Sequence, residues 1–218
     1  MVSLRQQQRK VYEIYDRLMF SAIGNHSDIE QIRVGAIDSA HAEGFNRSPE
    51  DVSVQRLVSF RISPAIKKVY SDPFAQPVVF KGVFLELGKT PDRDLIVTVG
   101  YDGEFATSEK NAAVAGTSFA EDEIRKHLEA SPVTENLESA LATCIEAWGI
   151  GKHHLSERDK PEMEKAADPI AAGRSVVTTH LKDGWHIEAG VLERDTNKES
   201  RFRLLTANEI SKSSESFA

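Results

Sequence analysis

The sequence predicts an α+β fold: a layered sandwich of mainly antiparallel sheet with helical hairpins packed outside it. Three observations carry that expectation. Apolar segments of strand length come in runs, two early, about four in the middle and two late, rather than singly. Helix-period segments come in pairs between those runs, unlike the strand–helix alternation of a doubly wound parallel sheet. Hydrophobic residues make up 40% of the 218 positions, enough to bury one core without staples.

The elements follow in order. Lys10-Val-Tyr-Glu-Ile-Tyr-Asp-Arg17 alternates apolar and polar positions, and Leu18 to Ile23 is almost wholly apolar up to Gly24. Two neighbouring strands are predicted there. Ser27 precedes Glu30 by three residues, the spacing of a capping box at a helix start. Ile29, Ile32, Ala36, Ile37 and Ala40 then recur at helical spacing, with Gly44 as the expected stop. A second helix is expected from Ser48-Pro49, striped by Val54, Leu57, Val58, Ile62, Ala65, Ile66 and Val69. Pro64 lies inside that stripe and should kink or split the helix.

The middle reads as strand: Pro77 to Leu87, Asp94 to Gly100, a Tyr101-Asp-Gly103 turn before Glu104-Phe105, and a short run over Ala112–Ala115. Helix returns at Gly116-Thr-Ser118, with Ser118 and Glu121 at capping-box spacing, and Pro132 breaks the chain. The next helix shows Leu137, Ala140, Leu141, Cys144, Ile145 and Trp148 on one face and is expected to end at Gly149-Ile-Gly151. Residues 152–174 read as a charged connector. Strands resume at Trp185 to Leu192 and Phe202 to Leu205, followed by a capped turn at Thr206–Ile210 and a flexible serine-rich tail over 211–218. Residues 1–210 are expected to form a single domain.

Composition excludes several classes. A net charge of −7, from 34 acidic and 27 basic side chains, argues against a nucleic-acid binder, which needs a basic surface. No apolar run approaches the roughly 20 residues of a spanning helix, and the first ten residues lack the hydrophobic core of a secretory signal, so no membrane partner is expected. A lone cysteine, Cys144, fits a reducing, cytoplasmic setting.

No constellation of residues announces catalysis. His153-His154 adjoins Glu157 and Asp159, but neighbours in an irregular loop point apart, so a solvated polar loop is the expectation and no metal or cofactor is predicted. His180 and His186 flank a strand. Cys144, on an apolar stripe, is expected to behave as a small hydrophobe. The chain has no Gly-x-Ser-x-Gly elbow, and Gly100 to Gly103 is a turn rather than a phosphate cradle.

One block of residues points further. Lys10 to Arg17, then Phe20-Ser-Ala-Ile-Gly24, then Ile32-Arg-Val-Gly-Ala36 and Ala42-Glu-Gly-Phe45 together resemble the α-type subunits of bacterial 20S proteasomes. Tyr101-Asp-Gly103, Ala115-Gly-Thr117 and the Leu137–Trp148 stripe extend the resemblance over most of Arg9 to Ile150, and more weakly over Trp185 to Leu205. The resemblance implies a four-layer αββα sandwich of the N-terminal-nucleophile hydrolase type.

It also implies a non-catalytic subunit of a threonine-type endopeptidase complex. Such a subunit forms a heptameric outer ring against proteasome β-type subunits, gates substrate entry and docks an activator ATPase or another activator through its C-terminal tail. Family catalysis uses an N-terminal threonine whose amine serves as base, and Met1-Val-Ser offers none. Lys10 matches the family lysine that receives an activator's terminal carboxylate. The family's segment ahead of that lysine is expected to be mostly missing here, through a misplaced gene start or a shortened paralogue. Tyr15-Asp16-Arg17 is accordingly not the family's gate triplet. A stand-alone hydrolase of the same fold, or a shortened paralogue that does not assemble, are the alternatives. The first helical pair is expected to face the β-ring, with Arg33 and Arg47 on its exposed side.

Overall fold

A computed structural model describes residues 9–131, 136–157, 168–214 and 217. Five strands, β1 (Val11–Tyr15), β2 (Leu18–Gly24), β3 (Phe80–Glu86), β4 (Leu95–Val99) and β5 (Phe105–Ser108), form one sheet in chain order. Every neighbouring pair is antiparallel. A separate antiparallel ribbon pairs β6 (Gly190–Leu192) with β7 (Phe202–Leu204) and lies against β1, where the Arg201 amide donates to the Asp16 carbonyl at 2.6 Å. The α+β class with antiparallel sheets is as expected. The middle run holds three strands rather than four, because residues 112–115 make no ladder.

Alternation explains which face of the sheet is buried. Leu18, Phe20 and Ala22 of β2, Phe80 and Phe84 of β3, and Val97 and Val99 of β4 point the same way, as period-two geometry requires. Phe20 and Phe84 stand opposite each other in register with ring centroids 4.6 Å apart. Onto this face pack α1 (His26–Asn46) and the continuous run of α2 (Val54–Leu57), a π-helical turn (Val58–Ile62) and α3 (Ser63–Tyr70). Pro64 splits the predicted second helix as expected: the Ser63 amide bonds back to the Val58 carbonyl, a π-type bond, just ahead of the residue that has no N–H to give. The helix proper starts at Ser53, whose hydroxyl accepts from the Arg56 amide. Ser48-Pro49 opens only a 3₁₀ turn, Pro49–Asp51.

Two boundary expectations for α1 are corrected. Its cap is Asn25, whose side chain accepts from the Ser27 amide at 2.9 Å, while Glu30 turns to Arg33 instead of reaching back. Gly44 is not a stop. It lies buried inside the helix beneath Tyr15, where a Cβ would fall 2.3 Å from the Tyr15 hydroxyl. The glycine answers a close approach rather than a chain reversal.

The second half is helical. α5 (Leu137–Glu157), α6 (Pro169–Lys182) and α7 (Ala207–Ser214) enclose a smaller cluster of Leu141, Ile145, Val177, Leu205 and Phe217, and α4 (Ser118–Ala130) packs on α5. α4 is capped by Thr117, whose hydroxyl accepts from the Ala120 amide, one residue earlier than the Ser118 box. Here the 152–174 connector is corrected. Residues 152–157 continue α5, residues 158–167 lie outside those described, and α6 begins at Pro169. Asp168 caps α6 by accepting from the Ile170 and Ala171 amides, with proline at the first helical position.

The glycines expected to end α5 are contact points instead. A Cβ on Gly149 would sit 2.4 Å from the Gly173 carbonyl oxygen of α6, and one on Gly151 would sit 2.4 Å from Ile124 Cδ1 of α4. The expected strand from Trp185 is paired only over Gly190–Leu192. The flexible tail is corrected too: α7 runs through Ser214, and Phe217 is buried in the second cluster with its carbonyl accepting from Thr178. The expected cap at Thr206 is present, with Thr206 and Glu209 exchanging hydrogen bonds and the Glu209 carboxyl held down to about 2 by the Thr206 amide and then Arg203. Pro132 lies outside the described residues.

Candidate functional site

Lys10 stands exposed at the start of β1, beside the β6–β7 ribbon. The backbone around it is held in shape by its neighbours. Arg9 Nε donates to the Val11 carbonyl at 3.0 Å, and the Tyr12 hydroxyl donates to the Arg9 carbonyl. The Arg9 guanidinium lies 5.9 Å from the centroids of both Tyr12 and Phe202, within cation–π range of each. Glu188, in the extended segment ahead of β6, accepts from the Lys10 and Val11 amides at 3.1 Å each.

A second cation closes the arrangement. Arg33 of α1 lies 5.1 Å from the Tyr12 ring and grips Glu30 with Nε and Nη2 at 2.8 to 3.1 Å. That pairing lowers the Glu30 pKa, while burial, and then Glu30, raise that of the Tyr12 phenol. Arg33 is therefore committed to this corner, its side chain only 25% exposed, and not to an outer surface as expected. Arg47, at the end of α1, is exposed as expected. Beside it Phe45 is 91% exposed, and Phe60, on the π turn, is 68% exposed with the Arg56 guanidinium over its ring.

Tyr15-Asp16-Arg17 has an internal role. Arg17 pairs with Glu86 and donates to the Val52 carbonyl at 2.7 Å, while Glu86 accepts from the Val54 amide at 2.7 Å. The pair pins the α1–α2 connection to the end of β3. The Tyr101-Asp-Gly103 turn is also a bracket: Gly103 takes φ +82°, and its carbonyl accepts from Ser63 Oγ at 2.6 Å, tying the β4–β5 turn to the start of α3.

His153 and His154 are not in a solvated loop. They lie on α5, the first buried at 7% exposure, because the helix continues past its glycines. His153 Nε2 is 3.0 Å from Glu157 Oε2 but off the line of a hydrogen bond, and His154 Nε2 is 3.7 Å from Glu123 on α4. Burial lowers the His154 pKa, partly offset by Glu123. His127 and Arg174 flank Glu146 at 3.5 and 2.8 Å. Asp159 lies outside the described residues, and among those described no group of three or more His, Cys, Asp or Glu side chains is placed to hold a metal ion. Cys144 and Trp148 leave the predicted stripe for the exposed side of α5, although the Cys144 sulfur is crowded enough that desolvation raises its pKa. Missed by sequence reasoning were Glu188 and Phe202, remote in sequence and brought to Lys10 only by the ribbon. No spacing signal could have found them.

No helix among the described residues is long and apolar enough to cross a membrane. No family model matches the chain. It is 27% identical to a proteasome subunit alpha of Actinosynnema mirum over 89% of this chain and 65% of that protein. It is 25% identical to the one of Streptomyces avermitilis over 93% of this chain and 70% of the relative, and 27% identical to that of Kineococcus radiotolerans over 90% and 73%. The similarity points to the class of proteasome subunits, and the α+β architecture with antiparallel sheets is consistent with it. More narrowly, this chain is similar to bacterial proteasome α subunits over most of its length, and the resemblance read from the sequence is borne out. The chain spans about two thirds of the length of the relatives it matches.

Proposed function

We propose that this chain is the non-catalytic α-type subunit of a proteasome-like particle, a structural component of a threonine-type endopeptidase complex in the cytoplasm. Copies form a heptameric outer ring on a ring of β-type subunits, gate substrate entry and dock an activator by its C-terminal tail. The chain acts as one domain of the four-layer αββα type that runs past residue 210 to include α7 and Phe217. The observation that carries the reading is the similarity to α-type subunits over about nine tenths of the chain.

Two features support its details. Lys10 sits exposed among Arg9 and Arg33 on a rim with two aromatic faces, a setting suited to a carboxylate that follows an apolar side chain. Phe45, Phe60 and Arg47 stand outward on the α1–α3 layer, where aromatic and arginine side chains make good interface anchors. The test is co-expression with a bacterial proteasome β-type subunit, followed by native mass measurement. A ring or stacked-ring mass is the expected result, and a monomer under those conditions sinks the reading. Within an assembled ring, Lys10→Ala should abolish binding of an activator tail, and Arg47→Glu should weaken co-purification with the β-type subunit while the melting temperature holds.

A further inference from the structure

Both oxygens of the Glu188 carboxylate are engaged by two successive backbone N–H groups. Oε2 accepts from Lys10 and Oε1 from Val11, each at 3.1 Å. Paired backbone amides on a single carboxylate are a standard means of capturing the end of another polypeptide chain. The receptor does not need Glu188 for its shape, since the Tyr12 hydroxyl on the Arg9 carbonyl and Arg9 Nε on the Val11 carbonyl fix the turn independently. The guanidinium groups of Arg9 and Arg33 both lie over the neighbouring Tyr12 ring, and Glu30 is occupied by Arg33. Tyr12 and Phe202 supply an apolar wall on either side of Arg9. Glu188 itself lies outside the paired residues of β6, so it can withdraw without unpairing the ribbon.

We propose that Glu188 occupies, from within the chain, the tail-docking position already read at the start of β1, and that it is thereby a competitive brake on docking. The ligand class is a peptide or protein tail ending in a free carboxylate next to an aromatic or aliphatic side chain. The inference rests on the reading of Lys10 as a tail-binding residue and adds its regulation. An incoming tail gains the amides only by displacing a carboxylate already held at high effective concentration, so wild-type affinity is held low. Anything that draws Glu188 away strengthens docking.

The experiment uses the full chain in the assembly it forms, as wild type, Glu188→Ala, Glu188→Gln and Lys10→Ala. The probe is an eight-residue peptide ending in tyrosine, as free acid and as C-terminal amide, read by fluorescence anisotropy, with hydrogen exchange followed over residues 9–12. Glu188→Ala should bind the free acid about tenfold tighter than wild type, the order expected when one charge-assisted competitor is removed. Glu188→Gln, which keeps the size and one acceptor, should lie between them, and the amide should bind none of the proteins. Exchange over residues 9–12 should rise in Glu188→Ala and fall again on adding the free acid. Equal free-acid affinity in wild type and both Glu188 variants, with Lys10→Ala weaker, overturns the brake and leaves the tail-docking reading standing. Protection restored to Glu188→Ala by acetate but not by peptide keeps the carboxylate site and removes the tail as its ligand. Loss of response to peptide and acetate alike overturns the inference.

Discussion

The sheet half of the molecule, β1–β5 with α1–α3, shuts Phe20, Phe84, Leu18, Leu57, Val97 and Val99 off from solvent, whereas in the helical half, α4–α7 with the ribbon, Val177 is the one large side chain among the described residues buried to that degree. The helical half relies on other means. Its helices meet backbone to backbone at Gly149 and Gly173, and α4, α5 and α6 are bridged by Glu123, His127, Glu146, His154 and Arg174. Large interdigitated side chains give a core whose energy scales with buried apolar area. Close helix contacts and charged pairs give a region that answers to volume added at one atom and to pH. The sheet half is the platform of large buried side chains, and the helical half draws more on close helix contacts and charged pairs.

The contrast can be broken most directly at Phe84. Phe84→Ala should cost about 3 to 5 kcal/mol in denaturant unfolding, as for other large-to-small changes in a full core. A loss under about 2 kcal/mol would mean the platform is not where the stability resides. The helical counterpart is Gly149→Val, which forces side-chain atoms into the Gly173 carbonyl at a cost of about 1 to 3 kcal/mol. Hydrogen exchange should then quicken over 141–150 and 169–182 while 80–99 keeps its protection. Equal quickening everywhere would show the halves to be one cooperative unit.

A smaller effect separates two caps on the platform. Asn25→Ala should cost about 1 kcal/mol, and Ser27→Ala close to none, because the Asn25 side chain is the one that accepts from the helix start. Smallest is the pH response of His154. Burial lowers its folded pKa below the ordinary 6.5, so between the folded and unfolded values the unfolded chain binds a proton the folded chain refuses. Stability from this group is complete above 6.5 and is lost as the pH falls below it. His154→Gln should flatten the dependence of the urea midpoint between about pH 7.5 and about pH 5.5. An unchanged slope would place the pH sensitivity elsewhere.

The same contrast explains what could be read from the sequence. In the sheet half, period-two runs and the Ile29–Ala40 stripe mark strands and helix because burial there follows apolar side chains. The α5 boundary was hidden because Gly149 and Gly151 look like a stop and act as contact surfaces, which a sequence window does not distinguish. α6 was hidden by Gly173, Arg174 and a sparse apolar pattern, although Asp168-Pro169 carried a legible start signal. Of the candidate site, Lys10 came from the resemblance alone, and Tyr12 was legible only as a strand position. Glu188 lies 178 positions from Lys10 and could be found only by folding the chain.

The π-helical turn at Val58–Ile62 has a consequence for how this chain can vary in length. It holds one residue more than a plain α-helical turn, which keeps Ile62 and Ile66 inward while Arg61 and Ala65 look out. Loss of one residue from that turn, Ser59 for instance, would let it relax to α-helical winding with Val58, Ile62 and Ile66 still on one face. The second helix thus carries a spare unit, and its length can shrink by one without disturbing what lies beyond. In β2 or β3, where side chains alternate between faces, the same deletion would turn every residue past it inside out.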